Sequence, residues 1–194
     1  ESYKGFYVLF PKSSDGCDKK EKMLSFVENI ETKNFKFRTS ESFIEEISCQ
    51  LKTGGDNVRR LAVGFSEENR PIHGFIAGHG DTRVVLMGGA HSDEPAGPGT
   101  LRLLVTYFLE HSHELESLFN TYSFFIIPHI NPDGEQKNRK WIRDWPDLLS
   151  FATNVFREEP GRDLEFGYPD MRVENRAISQ FLKNQAPFDL YINF

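Results

Sequence analysis

The stretch Arg83-Val-Val-Leu-Met-Gly-Gly-Ala-His-Ser-Asp-Glu-Pro95 narrows the folds open to this chain more than any other. Val84 to Met87 is a short unbroken apolar run, the pattern of a strand buried on both faces. It stops at Gly88-Gly89, and His91 and Glu94 follow, three positions apart. Pro95 then suits the first turn of a helix, where its missing N–H costs nothing. Leu101, Leu104, Val105 and Phe108 give that helix an inner stripe. Strand, polar loop and helix form the unit of an open α/β sheet, and such sheets build sites outside the carboxyl ends of their strands. An imidazole and a carboxylate on one short turn are ligand types that suit zinc. The same residues also read as an ordinary polar surface loop.

Elsewhere the chain alternates strands and helices. Gly5 to Phe10 reads as a strand, residues 18–31 as a helix, and Phe35 and Phe37 as one side of a half-buried strand. Phe43, Ile44, Ile47 and Leu51 line one helix face, with Ser42 and Glu45 spaced as a capping box. Arg60 to Phe65, Pro71 to Ala77 and Thr82 to Gly88 are short strands joined by polar turns. Tyr122 to Ile127 is a second dense apolar strand and runs into Asn131-Pro-Asp-Gly134, whose residues fit a type I turn. Residues 135–170 are polar, aromatic and poor in periodicity, as in functional or mobile loops. Glu174 to Asn184 is helical, and Phe188 to Phe194 begins another strand. The expected architecture is an α/β/α sandwich with a mixed, mostly parallel central sheet, incomplete at the C-terminus.

Composition excludes some partners. A formal charge of −6 argues against nucleic acid or an anionic membrane surface. No apolar run approaches the roughly 20 residues of a membrane span. Two cysteines, Cys17 and Cys49, are too few for a disulfide framework, so a reducing, cytoplasmic setting is the default expectation.

His91-x-x-Glu94 after one strand, Asn131-Pro-Asp-Gly134 after a second, an Arg-rich segment, and a closing Phe-Asp-Leu-Tyr-Ile strand together resemble the zinc metallocarboxypeptidases of the carboxypeptidase A-like family. The resemblance runs over residues 58–194, the N-terminal part of such a catalytic domain. Residues 1–57 are left as an extension or small subdomain. It implies a zinc-dependent hydrolase that cleaves a C-terminal peptide or amide bond with metal-activated water. His91 and Glu94 match the first two zinc ligands. Arg139 and Arg143 compete for the role of stabilising the oxyanion. Arg157 is the candidate for the substrate carboxylate, because a planar guanidinium pairs with a carboxylate in two parallel bonds. Asn138, beside Arg139, is a candidate substrate-binding residue. The equally available reading of these arginines is solvated or ion-paired, with Glu158, Glu159, Asp163 and Glu165 close by. The aromatic cluster Trp141, Trp145 and Phe151 lines a groove or covers the sheet.

Two departures from the family pattern bear on function. Asp93 stands inside His-x-x-Glu where some members have Arg, and His-Ser-Asp-Glu resembles the murein-peptide amidase branch. The family's third zinc ligand lies beyond a strand like Phe188 to Phe194, and its general base lies later still. The sequence stops at Phe194, so this chain is expected to be inactive alone and prone to self-association. Two other readings remain: an aspartoacylase-type N-acyl amino acid deacylase, and a non-catalytic binding module with this fold.

Overall fold

The computed structural model describes residues 36–53 and 57–194. The strand expected at 5–10, the helix at 18–31, Phe35 and Cys17 lie outside the described residues. Helix α1 (Ser40–Ile47) and the short α2 (Gln50–Thr53) precede strands β1 (Val58–Phe65), β2 (Pro71–Ala77) and β3 (Thr82–Met87). Then come α3 (Ala96–Glu110), α4 (Glu116–Thr121), β4 (Tyr122–Ile127), α5 (Pro132–Asp144), α6 (Leu148–Asn154), α7 (Val173–Gln185) and β5 (Leu190–Asn193).

The five strands form one mixed sheet in the order β1-β2-β4-β3-β5. β1 pairs antiparallel with β2, and β2 with β4. β3 runs parallel to both β4 and β5, pairing Met87 with Ile127 on one side and with Asn193 on the other. The carboxyl ends of these three strands therefore meet at one edge of the sheet.

The unbroken apolar runs follow from the two-residue period of a strand. Val84, Leu86 and Ile126 face one layer, where Phe43 and Ile47 of α1 pack with Leu101 and Val105 of α3. Val85, Met87 and Ile127 face the other, against Ile178 of α7 and the loop residue Leu164. Burying each such side chain contributes about 1.5–3 kcal/mol. Because Phe43 and Ile47 share a core with β2, β3 and β4, the elements on either side of residue 57 are parts of one packed body.

The structure departs from the sequence reading in several places, and residues 36–39, which include Phe37, form no strand. The expected capping box of Ser42 and Glu45 is not formed: α1 is capped by Thr39, whose hydroxyl accepts from the Ser42 N–H at 3.4 Å. Residues 135–170 are not one long loop, since they hold most of α5 and all of α6. Asn131-Pro-Asp-Gly134 is the start of α5, not a free turn. Asn131 is the N-cap and accepts from the Gly134 N–H at 3.0 Å, with Pro132 in the first helical turn. The buried side of α5 carries Asp133, Glu135 and Asn138 beside Trp141 and Ile142. A helix that buries polar groups has no apolar stripe to betray it.

Candidate metal centre and substrate site

The site begins where β3 ends. Backbone bonds tie the ends of β3 and β4: the Gly88 N–H donates to Ile127 O at 3.2 Å and the Ile130 N–H donates to Gly88 O at 3.0 Å. Gly89 has φ +77°, and a Cβ there would lie 2.7 Å from the His129 ring. Only glycine fits, and its left-handed backbone aims the chain away from the sheet. The Glu94 N–H then closes a turn onto His91 O at 3.2 Å, which brings both side chains to one side.

His91 has a carboxylate at each ring nitrogen. Nδ1 lies 3.4 Å from Glu94 Oε2, and Nε2 lies 2.8 Å from Asp163 Oδ2 and 3.7 Å from Glu165 Oε2. Burial disfavours charge on the ring, but Asp163 and Glu94 outweigh it and raise its pKa. Leu164, buried in the core, sits between Asp163 and Glu165 and turns both carboxylates outward. Gly89, Ala90, His91, Glu94, Glu165, Asn193 and Phe194 line an open cleft here.

The donor set fits a divalent ion on the Nδ1 side. Two ligands of one tetrahedral ion, each bonded at about 2.0–2.2 Å, stand roughly 3.4 Å apart, and Nδ1 and Glu94 Oε2 stand 3.4 Å apart. His91 Nε2, Asp163 and Glu165 also bring three donor atoms within 4.8 Å of one another. There the 2.8 Å contact is a hydrogen-bond length, too short for two tetrahedral ligands of one ion. An Nε2–H donated to Asp163 leaves the Nδ1 lone pair facing Glu94. This is how a carboxylate commonly fixes the tautomer of a metal-binding histidine. In the chain Asp163 reads only as a charge near Arg157; its pairing with His91, 72 positions away, needed the folded chain.

The second motif supports the first. Asp133 accepts from Ser66 Oγ at 2.6 Å, from Glu68 N at 2.9 Å and from Arg70 Nη1 at 2.7 Å, pinning the β1–β2 turn to α5. Although burial disfavours its charge, these donors lower its pKa. Gly134 passes so close to Ser92 that a Cβ would lie 2.5 Å from the hydroxyl. Glu135 is buried with Arg102 at 2.6 Å and accepts from the Ser40 N–H at 2.9 Å. Burial opposes its charge, yet His129, Arg102 and these hydrogen bonds hold its pKa at about 2. His129, wholly buried, falls to about 4 because of burial. It accepts from the Asn131 N–H at Nδ1, so it is a neutral structural histidine and not a ligand.

The predicted substrate residues separate. Arg157 is 68% exposed beside the turn, with Nε 3.6 Å from Asp93 Oδ2 and Nη2 3.6 Å from Glu94 Oε1. Arg139 and Arg143 lie on the exposed side of α5, apart from the contacts that gather at His91. Asn138 does not meet the expectation of direct substrate contact: it has no exposed surface, and its amide is bonded to Ser92, Phe156 and Trp141. Trp141 packs edge-on against Phe151 and is 1% exposed, so this part of the aromatic cluster is core.

A family model described as zinc carboxypeptidase matches residues 44–194. Carboxypeptidase B of Astacus astacus is 26% identical over 160 residues, covering 77% of this chain and 53% of that protein. A protein of Paracoccidioides lutzii named inactive metallocarboxypeptidase ECM14 is 25% identical over 182 residues, covering 78% of this chain and 29% of the other. Among solved structures, thrombin activatable fibrinolysis inhibitor has the same fold, with a TM-score of 0.64 and 18% identity over 81% of this chain and 46% of that one. The chain spans about half the length of the carboxypeptidase B it matches.

Proposed function

Because the chain belongs to the zinc carboxypeptidase family, we propose that His91 and Glu94 hold zinc in a hydrolase that removes a C-terminal residue from a peptide or amide substrate. The carrying observation is His91 set between Glu94 at Nδ1 and Asp163 at Nε2. Zinc, when bound, acidifies a water and polarises a carbonyl. Three features of this chain set up that chemistry. Asp163 holds the His91 proton at Nε2 and fixes the ring. Glu94 adds a carboxylate oxygen. The turn at Gly89 sets both outside the ends of β3 and β5.

Arg157 is the residue best placed to take the substrate's terminal carboxylate. Its two ion pairs are long and exposed, so they contribute little and are readily exchanged for a ligand. Arg139 and Arg143 remain the proposed oxyanion residues on the strength of the family resemblance. Peptide substrates agree with the family; residues outside this chain would complete the ligand set and supply the general base. One relative carries the name of an inactive metallocarboxypeptidase, which supports a second reading as a binding module that keeps the fold without the chemistry.

Zinc titration by calorimetry on the natural full-length protein tests the first reading, paired with hydrolysis of peptides that have free C-termini. One zinc per protein and peptide hydrolysis, both lost in His91→Ala, is the expected result. No zinc binding by the wild type would overturn it. Zinc binding without hydrolysis would favour the binding module.

A further inference from the structure

Arg157 is exposed, but the residues on both sides of it are fastened, Phe156 through its backbone and Glu158 through its carboxylate. The Phe156 N–H donates to Asn138 Oδ1 at 2.8 Å, and Phe156 O accepts from Asn138 Nδ2 at 2.9 Å. One side chain thus satisfies both polar groups of that residue. On the far side, the Glu158 carboxylate accepts from Asn131 Nδ2 at 2.8 Å and lies 3.3 Å from the buried Arg172 Nη1. Asn138 also reaches the other half of the site. Its Nδ2 donates to Ser92 Oγ at 3.0 Å, and Ser92 lies between His91 and Glu94. The Trp141 Nε1–H donates to Asn138 Oδ1 at 2.6 Å and holds the amide in one orientation.

We infer that Asn138 is a positioning residue, a single buried amide that sets Arg157 against the His91–Glu94 turn. The inference rests on the carboxypeptidase reading of that site. Its physical basis is the amide's chemistry. Asn offers an acceptor and two donors on one rigid plane, and here the acceptor takes Phe156 N and Trp141 while the donors serve Phe156 O and Ser92, with Gly134 O at 3.1 Å sharing them. Asp lacks the donors, and Leu of similar size lacks both. Arg157 has only weak exposed pairs of its own, so its place is set by its backbone. Displacements of about 1 Å in a positioning group are enough to change rates strongly.

The test is a double-mutant cycle in the natural full-length protein. Asn138→Ala, Arg157→Ala and the double variant are compared with wild type for zinc affinity, kcat and KM on a peptide with a free C-terminal carboxylate. Asn138→Ala is expected to raise KM about tenfold, with a smaller change in kcat and little change in zinc affinity. In the Arg157→Ala background it should add less than twofold, because its effect passes through Arg157. Hydrogen exchange at the Phe156 amide should quicken in Asn138→Ala whether or not the protein is active. Should Asn138→Ala not fold, Ser92→Ala cuts the link to the turn while leaving Phe156 held, and it should give the same non-additivity with Arg157→Ala at reduced size. Independent, multiplicative effects in a zinc-binding, active protein would overturn the positioning role alone. A wild type without zinc binding would overturn the reading beneath it, and the inference with it.

Discussion

Two motifs stand at neighbouring strand ends, and they are opposites. The turn after β3 leaves its chemistry open: His91 is partly exposed and Glu94 is exposed. The turn after β4 buries its own: Asn131 and Asn138 have no exposed surface, and Asp133 and Glu135 almost none. Both are polar, both follow apolar strands, and both begin with a break in the sheet. In the second, each carboxylate and amide is matched by donors or acceptors of the protein itself, as a buried polar group must be. In the first, carboxylates outnumber the groups that could neutralise them, and a cation would complete the set. The difference teaches that a motif's residues do not say whether it acts or supports; their burial and their partners do.

The sharpest way to break the contrast is to unsettle the buried motif. Glu135→Ala leaves Arg102 buried without its ion pair, which typically costs about 3–5 kcal/mol. Urea denaturation should show that loss. If the midpoint hardly moves, the α5 anchorage is not the support described here.

Disturbing the open motif should instead spare stability and affect metal. Asp163→Asn removes the carboxylate that orients His91, and zinc affinity should fall about 10- to 100-fold. A variant that binds zinc as wild type does would mean that Asp163 is only a charge partner.

Acid should reach the buried motif in two stages. The pKa of His129 in the folded protein, about 4, lies below its ordinary 6.5, so the native state resists protonation and loses stability as pH falls from 6.5 towards 4. That of Glu135, about 2, lies below its ordinary 4.5. Its stabilising contribution is full above pH 4.5 and is lost as pH falls towards 2. Denaturation midpoints measured across this range should decline throughout, and Glu135→Gln should flatten the lower limb. An unchanged pH profile in that variant would dissociate Glu135 from the acid response.

The smallest effects belong to the exposed side of α5. Arg139→Ala and Arg143→Ala should change stability by no more than about 0.5 kcal/mol. A kcat loss in either, with unfolding unchanged, would identify the oxyanion residue; no loss in both would remove the pair from the chemistry.

Much of the fold was legible in the chain, for a physical reason. Val84 to Met87 and Tyr122 to Ile127 are apolar at every position or nearly so, and runs this short bounded by turn residues suit a strand covered on both faces. The His91–Glu94 turn was legible because Gly88-Gly89 must break the strand just before it. α5 was not legible, because much of the face it buries is polar, with Asp133, Glu135 and Asn138 beside Trp141 and Ile142, and those groups are satisfied by segments distant in sequence: Ser40, Ser66, Ser92 and Phe156.

The sequence by itself determined the alternation of elements, the two strand-end motifs and the pairing of His91 with Glu94, since these depend on local spacing and on side-chain polarity. Tertiary structure alone decided that Asp163 would meet the far nitrogen of His91, and that Asn138 would be buried and Arg157 exposed. Those outcomes depend on which distant backbone and side-chain groups arrive at hydrogen-bonding distance, and no local pattern in the chain encodes that.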